Sequence, residues 1–369
     1  MDKSIKWINK AKVFGIVLVV FAHAITPGIR RINTYLFYTR QFIYTFHMPF
    51  FMLLSGFLFE INLTKYRRSG FVKFARNKFV KLMIPYLTLS VLNYLAMFLC
   101  GRVPFLSGIA GDGINATRSV GTALFEILTL TNHIDEHMWF VYTLFCMLLL
   151  CYLTPYFWKS PIGVFTSVIM AVFLTLIPMP EVIDRIANYL VFFSFGRLLV
   201  GKKYTKEYAI KLLRILVPII VCLAVLNSYF WSGNTFFEDY VIAVKIIRRV
   251  SKMILAVLCC QALFTFFVTF ENSNFKWNLT RRVYKSEYGI YLLHQPFIVS
   301  GMVGILLRMR QSFALSWVYV IIGTCMGILV PIAIIVWAIN NSDILSFLIL
   351  GIKKERGDES GAKERKRFS

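Results

Sequence analysis

Long apolar stretches alternate with short polar and basic ones along the whole chain. A membrane-crossing helix needs roughly 20 mostly apolar residues. On that criterion spans fall near Ala11–Pro27, Phe42–Phe59, Leu82–Cys100, Met138–Pro155, Ile162–Ile177, Ile186–Val200, Ile215–Phe230, Ile247–Phe270, Tyr288–Leu307 and Leu315–Ile339. The pattern predicts an all-α polytopic membrane protein, a bundle of about ten transmembrane helices occupying residues 1–340. Residues 341–369 read as a basic cytoplasmic tail, partly disordered because they are rich in charge. The first stretch carries Lys12 and His23 at its two ends and no small-residue cleavage site, so it reads as a span and not a signal peptide. The longest non-spanning stretch runs from Gly101 to His137. It opens with the loop signal SGIAGDG and continues into Val120–Leu130, an apolar run too short to span, which suits a re-entrant or interfacial helix on the outer side.

Composition strengthens this picture. The chain is 58% hydrophobic and 16% charged, with a mean hydropathy of +0.66. A soluble domain is about 45–50% apolar and about 25% charged, so a soluble enzyme and a disordered chain are both excluded. The 41 Lys+Arg against 18 Asp+Glu give a formal charge of +23. No basic stripe lies on a soluble fold, which argues against nucleic acid as a partner. The charge instead sets orientation. The amino-terminal segment, the connections after the second, fourth, sixth and eighth stretches, and the tail hold 28 of the 41 basic residues. That side is expected to be cytoplasmic, with both termini inside, in a multi-pass protein of the cell membrane. Lys245, Arg248, Arg249 and Lys252 stand apart, at the outer end of the eighth stretch. Snorkelling to headgroups is the simpler account of them, and an anionic outer groove the alternative. The seven cysteines lie in or beside apolar stretches, form no CxxC pair, and read as small buried hydrophobes.

Ionisable groups inside a bilayer are costly, and so point to function. All five histidines lie in or next to spans. Lys12 and His23 are eleven residues apart, about 16 Å along a helix and three turns, which places both on one face. Lys12 then marks the cytoplasmic mouth and His23 the outer half. His47 enters the second span from outside at nearly the same depth as His23, with Ser55 and Gly56 permitting close helix packing deeper down. Two imidazoles meeting there suit a reaction centre. Asp135, Glu136 and His137 stand just above Trp139 at the start of the fourth span, where a carboxylate would orient an imidazole. His133 and His137 have a metal-compatible spacing, but no third ligand accompanies them, so no metal is expected. Glu287, Tyr291 and His294 share one helix face, placed near the cytoplasmic side, where they suit a cofactor or a helix partner. Arg197, near the inner end of the sixth span, suits a phosphate or carboxylate.

Taken together, KVFGIVLVVFAHA, FIYTFHMPFFMLLSGFLF, RNKFVKLMIPY, MWFVYTLF and EYGIYLLHQPF resemble the membrane-bound acyltransferase-3 family, with the closest look to its fucose 4-O-acetylase-like sugar O-acetyltransferases. The resemblance covers roughly Lys6 to Asn340. It implies an enzyme, an O-acetyltransferase that takes acetyl or another short acyl group from cytoplasmic acyl-CoA, acetyl-CoA above all, to a hydroxyl of a cell-surface or lipid-linked glycan. The family's signature is an arginine separated by ten residues from a histidine, and the arginine's place is Lys12 here; a cation persists but the bidentate fork is lost. The large extracytoplasmic domain of some members is absent from this sequence, so the acceptor reaches the bundle itself or a glycan-assembly partner or second copy carries the group onward.

On this reading Lys12, Arg76, Lys78, Lys81 and Arg197 would hold the polyanionic head of coenzyme A, with Tyr291 and His294 along its path. His23 would serve as general base on the sugar hydroxyl or carry the acyl group covalently. His47 would assist as partner or oxyanion donor. Trp139 and Tyr142 would offer faces on which a sugar stacks. The rival reading, a glycan or small-molecule exporter, lacks the inverted repeat and matched broken helices that such proteins show.

Overall fold

The computed structural model describes residues 6–102, 119–133, 135–174, 176–232, 241–270 and 278–352. In chain order the helices are α1 (Lys6–Ala24), α2 (Pro27–Ile32), α3 (Thr34–Ser69), α4 (Phe71–Cys100), α5 (Val120–Leu128), α6 (Glu136–Leu153), α7 (Pro161–Phe173), α8 (Glu181–Leu198), α9 (Lys206–Trp231), α10 (Val241–Thr269), α11 (Asn278–Leu293), α12 (Phe297–Met309), α13 (Phe313–Ile339) and α14 (Asp343–Leu350). No strand occurs among the described residues.

Each of the ten expected stretches overlaps a helix. Seven of these helices are long and apolar enough to cross a membrane, or eight if the bent pair α11 and α12 is one span. The difference lies in α7, only 13 residues long, and α8, which carries Glu181, Asp184, Arg185 and Arg197 in 18 residues. α11 and α12 meet at 74° across Gln295 and Pro296, where proline has no amide hydrogen to continue the ladder. α3 runs 36 residues, well beyond its apolar centre. Asn33 caps its start by accepting from the Leu36 amide at 3.1 Å. It ends where Gly70 takes φ +78°, a left-handed conformation that glycine adopts without a side-chain clash.

Two close crossings hold the bundle. α3 and α8 touch backbone to backbone: a Cβ on Gly56 would lie 2.0 Å from the Phe193 carbonyl oxygen, and one on Gly196 2.0 Å from that of Leu53. Without hydrophobic drive between helices in lipid, such close approach supplies the packing. α1 is the central helix, packed by α3, α10, α11 and α13. Outward, Val217, Val221, Val225, Ile321, Leu329 and Trp337 are exposed on α9 and α13, the apolar surface that acyl chains cover.

The short apolar run beyond the loop forms α5, which buries Ala123 and Ile127 and exposes Leu124, Phe125 and Leu128. It is tied to α4 where Tyr86 Oη donates to the Ile127 carbonyl at 2.9 Å. The linker that follows is held too, Asn132 Nδ2 donating to Ser90 Oγ at 2.7 Å. The SGIAGDG loop lies outside the described residues. So do the tail's residues 353–369, whereas Asp343–Leu350 is helical and packs on α4.

Candidate active site

Three imidazoles gather near the end of α1 that carries His23. The His23 ring lies 5.1 Å from His294 and 6.5 Å from His137, and those two are 5.3 Å apart, centroid to centroid. Three helices supply them. α1 brings His23, the tight first turn of α6 brings His137, and the last residues before the α11–α12 bend bring His294. Tyr44, on α3, places its hydroxyl 3.4 Å from His23 Nδ1. His294 Nδ1 sits 2.8 Å from the Tyr291 carbonyl, which can only accept, so this nitrogen bears the hydrogen. Its Nε2 is then a basic lone pair, buried without a hydrogen-bond partner, and His137 Nε2 is likewise unpartnered.

The expected pairing of His23 with His47 is corrected. His47 packs on Tyr44 at 4.9 Å and its Nδ1 donates to the Ile43 carbonyl at 2.8 Å, while the rings against His23 are His294, His137 and Tyr44. His47 still lines the same cavity. Equal depth along two helices fixes a level but not a direction around the axis, and the α3 face turns His47 beside Tyr44. His294 is corrected as well. It belongs to the level of His23, not to the cytoplasmic side, because Glu287, two turns earlier on α11, is the residue level with Lys12.

Two cavities lead to this centre from opposite ends. The one on the His23 side, called outer after the orientation expected from loop charge, is about 570 Å³ and is lined by His23, His47, His137, Trp139, Glu136 and several arginines. The inner one, about 320 Å³, has a largely apolar wall including Ile16, Phe51, Leu144 and Phe140, with Lys12, Lys78 and Lys81 among its lining residues. Met48 and Tyr291 line both. Tyr291 Oη donates to the His137 carbonyl, which fixes the tyrosine in the partition beside the imidazoles.

Of the cations expected at the cytoplasmic mouth, Lys12, Lys78 and Lys81 converge on the inner cavity. Lys12 is bonded to Glu287 at 2.6 Å, so the uncompensated charge there rests on Lys78 and Lys81. Arg76 lines an adjoining surface depression with Lys73 and Gly351, and Lys81 lines both it and the inner cavity. Arg197 is corrected from cofactor holder to structural ion pair. It is 0% exposed, donates to Glu60 Oε2 at 2.8 and 3.0 Å, and donates to the Pro155 carbonyl at 2.6 Å. Without Arg197, Glu60 would keep only Lys159 among the described residues, at 2.7 Å and 48% exposed, so part of its burial cost would go uncompensated. Arg197→Ala is expected to destabilise the protein by about 3 kcal/mol, read as earlier thermal unfolding in detergent. Glu60→Gln/Arg197→Met should unfold later than Arg197→Ala.

The outer carboxylates separate. Glu136 is exposed to the cavity. Asp135 is buried, accepts from Asn93 Nδ2 at 3.1 and 2.9 Å, and stands 4.0 Å from His137 Nδ1. Burial pushes its carboxyl up to about 7, against the opposing pull of Asn93. The imidazole it neighbours is therefore His137. Trp139 lines the outer cavity and faces Tyr189 at 4.7 Å. Tyr142 is corrected: it is 1% exposed, packs edge-on to Tyr86, accepts from Arg185, and offers no open face. Arg40 and Tyr44 also face this cavity, and with His47 they repeat at i, i+4 and i+7 on α3, the one sequence signal that marks them. Among the described residues no group of three His, Cys, Asp or Glu side chains could hold a metal ion.

The apolar exterior, the helices long enough to cross and the buried imidazole centre define a polytopic membrane protein. Residues 5–336 match the acyltransferase domain of the acyltransferase-3 type, and the chain belongs to that family. It is a membrane acyltransferase. Comparison with curated proteins and with solved structures finds no match.

Proposed function

We propose that the protein moves an acetyl or other short acyl group from cytoplasmic acyl-CoA to a hydroxyl of a cell-surface or lipid-linked glycan, as the fucose 4-O-acetylase-like sugar O-acetyltransferases do. The observation that carries this reading is the pair of cavities sharing Met48 and Tyr291, with the imidazoles where they meet. A long thin thioester fits a narrow apolar route whose mouth is basic. The phosphates rest against Lys78 and Lys81, Lys12 sits beside them, and the arm runs between Phe51 and Leu144. The acceptor hydroxyl enters from the outer cavity. His23 takes its proton as the oxygen attacks the acyl carbon, the carbon–sulfur bond breaks, and the proton passes to the departing thiolate. His294 and His137 pack around His23, and Asp135 is a positioning residue for His137. The reading sets the chain in the cell membrane with about ten crossings, and the loop charge asymmetry supports cytoplasmic placement of both termini.

Sealed membrane vesicles test donor side and chemistry together. Acetyl-CoA added to inside-out vesicles is expected to label membrane glycan, and right-side-out vesicles are expected to stay unlabelled. An exporter would leave the thioester intact in both. Lys12 gives a finer test. Lys12→Arg should keep most acetyl-CoA affinity and Lys12→Ala should weaken it several-fold. Lys12→Glu should be far worse, since it sets a second carboxylate against Glu287 and the donor phosphates. Equilibrium binding to the folded variants decides; equal affinity in all three would place Lys12 outside the donor site.

A further inference from the structure

The outer cavity carries more positive charge than the protein neutralises. Arg30, Arg40, Arg185, Arg249 and Lys252 line it, against Glu136 and Asp184. Arg249 is paired with Asp184 at 2.7 Å, and Arg185 with Glu181 at 2.6 Å. Among the described residues Arg30, Arg40 and Lys252 have no carboxylate within ion-pair distance. Three cations on three elements, α2, α3 and α10, thus face one cavity whose single uncommitted carboxylate is Glu136. A second observation is independent of charge: Arg30 Nε and Arg249 Nε are buried and have no hydrogen-bond partner. The protein itself thus leaves the guanidinium groups of two cavity-lining arginines incompletely hydrogen-bonded, which is costly. Snorkelling to headgroups therefore does not account for Arg249 and Lys252, which belong to the cavity.

Resting on the acyltransferase reading above, we propose that the acceptor is a phosphorylated glycan, and that Arg30, Arg40 and Lys252 hold its phosphate while the hydroxyl to be acylated lies at His23. A phosphate monoester carries about −1.5 to −2 charges at neutral pH and three acceptor oxygens, which suits several cations. Arginine forks bind it bidentately. The distance to the chemistry is short. The Arg40 guanidinium carbon lies 3.8 Å over the Tyr44 ring, and the Tyr44 hydroxyl is 3.4 Å from His23 Nδ1. A phosphate at Arg40 fixes the neighbouring sugar ring next to the base, which lowers the entropy cost of orienting one hydroxyl among many.

The test uses the full chain in lipid nanodiscs with coenzyme A at saturation, so that the cytoplasmic mouth is filled. Binding of glucose 1-phosphate is measured beside glucose and glucuronic acid, and again with undecaprenyl phosphate in the disc. Glucose 1-phosphate is expected to bind at least tenfold more tightly than glucose or glucuronic acid. Arg30→Gln/Arg40→Gln should lose at least tenfold while binding coenzyme A normally, which also shows that it is folded. Lys252→Gln should lose several-fold, and Lys245→Gln, on the same helix but outside the cavity, should lose nothing. Competition by undecaprenyl phosphate would assign the phosphate to a lipid-linked acceptor; its absence, with binding of glucose 1-phosphate retained, would assign it to a soluble or polymer-borne one. No preference for the phosphate, unchanged affinity in the double variant, or displacement of glucose 1-phosphate by coenzyme A would overturn the proposal. Failure of the wild type to bind coenzyme A would instead overturn the donor reading and leave the phosphate measurement standing.

Discussion

Replacing His23 with alanine is expected to abolish acyl transfer while leaving the protein inserted and folded. The loss should reach about 10²- to 10⁴-fold, the ordinary contribution of a positioned general base. His23 is reached from the outer cavity, and its side-chain hydrogen bond among the described residues, to Tyr44, is long at 3.4 Å, so its removal costs the fold little. The nearest replacement base, His294, is held by its Nδ1 hydrogen bond to its own helix with its ring 5.1 Å away. It cannot swing into place without breaking that bond. The order among histidines follows from the same geometry. His294→Ala should be the next most damaging, and His47→Ala less so, because His47 lines the cavity without touching His23. Labelled acetyl transferred in membranes, normalised to inserted protein, reads all three. Near-normal transfer by the His23 variant would make the residue structural and remove the proposed mechanism.

The second large effect is on the fold. Gly56→Leu or Gly196→Leu should yield little monodisperse protein in detergent. Even the Cβ would stand 2.0 Å from a backbone carbonyl oxygen of the facing helix, where a flexible side chain cannot give way. α3 and α8 would have to separate by roughly 1 Å or more, and overpacking of a tight contact costs about 1–3 kcal/mol or more. The separation would also pull His47 and Arg40 on α3 from Asn188 and Arg185 on α8, which together wall the outer cavity. Gly304→Ala serves as the control, since nothing lies within 4 Å of a Cβ there. Size-exclusion profiles decide, and a normal profile for both leucine variants would mean that the crossing is looser than its geometry.

The class of the protein is legible in the chain alone. Apolar length and loop charge are properties of the chain read one residue at a time, and a bilayer imposes them on each helix separately. So the helices of the ten stretches and the short helix α5 were legible, as were the places of Lys12 and His23 toward opposite ends of α1 and the small-residue contact at Gly56. The boundary of α8 was less so, because three of its four charges find partners on other helices, Arg197 on Glu60, Asp184 on Arg249 and Arg185 on Tyr142, while Glu181 pairs with Arg185 within α8 itself. What tertiary structure alone decided is which side chains meet. Depth follows from counting along a helix, but rotation about the axis is set by packing against neighbours. Hence His294 joins His23 from 271 residues away, whereas His47, nearer in sequence, turns to Tyr44. The same reason hid the outer cations. Arg30, Arg40 and Lys252 stand on separate elements with no shared motif, and only the assembled bundle gathers them around one cavity.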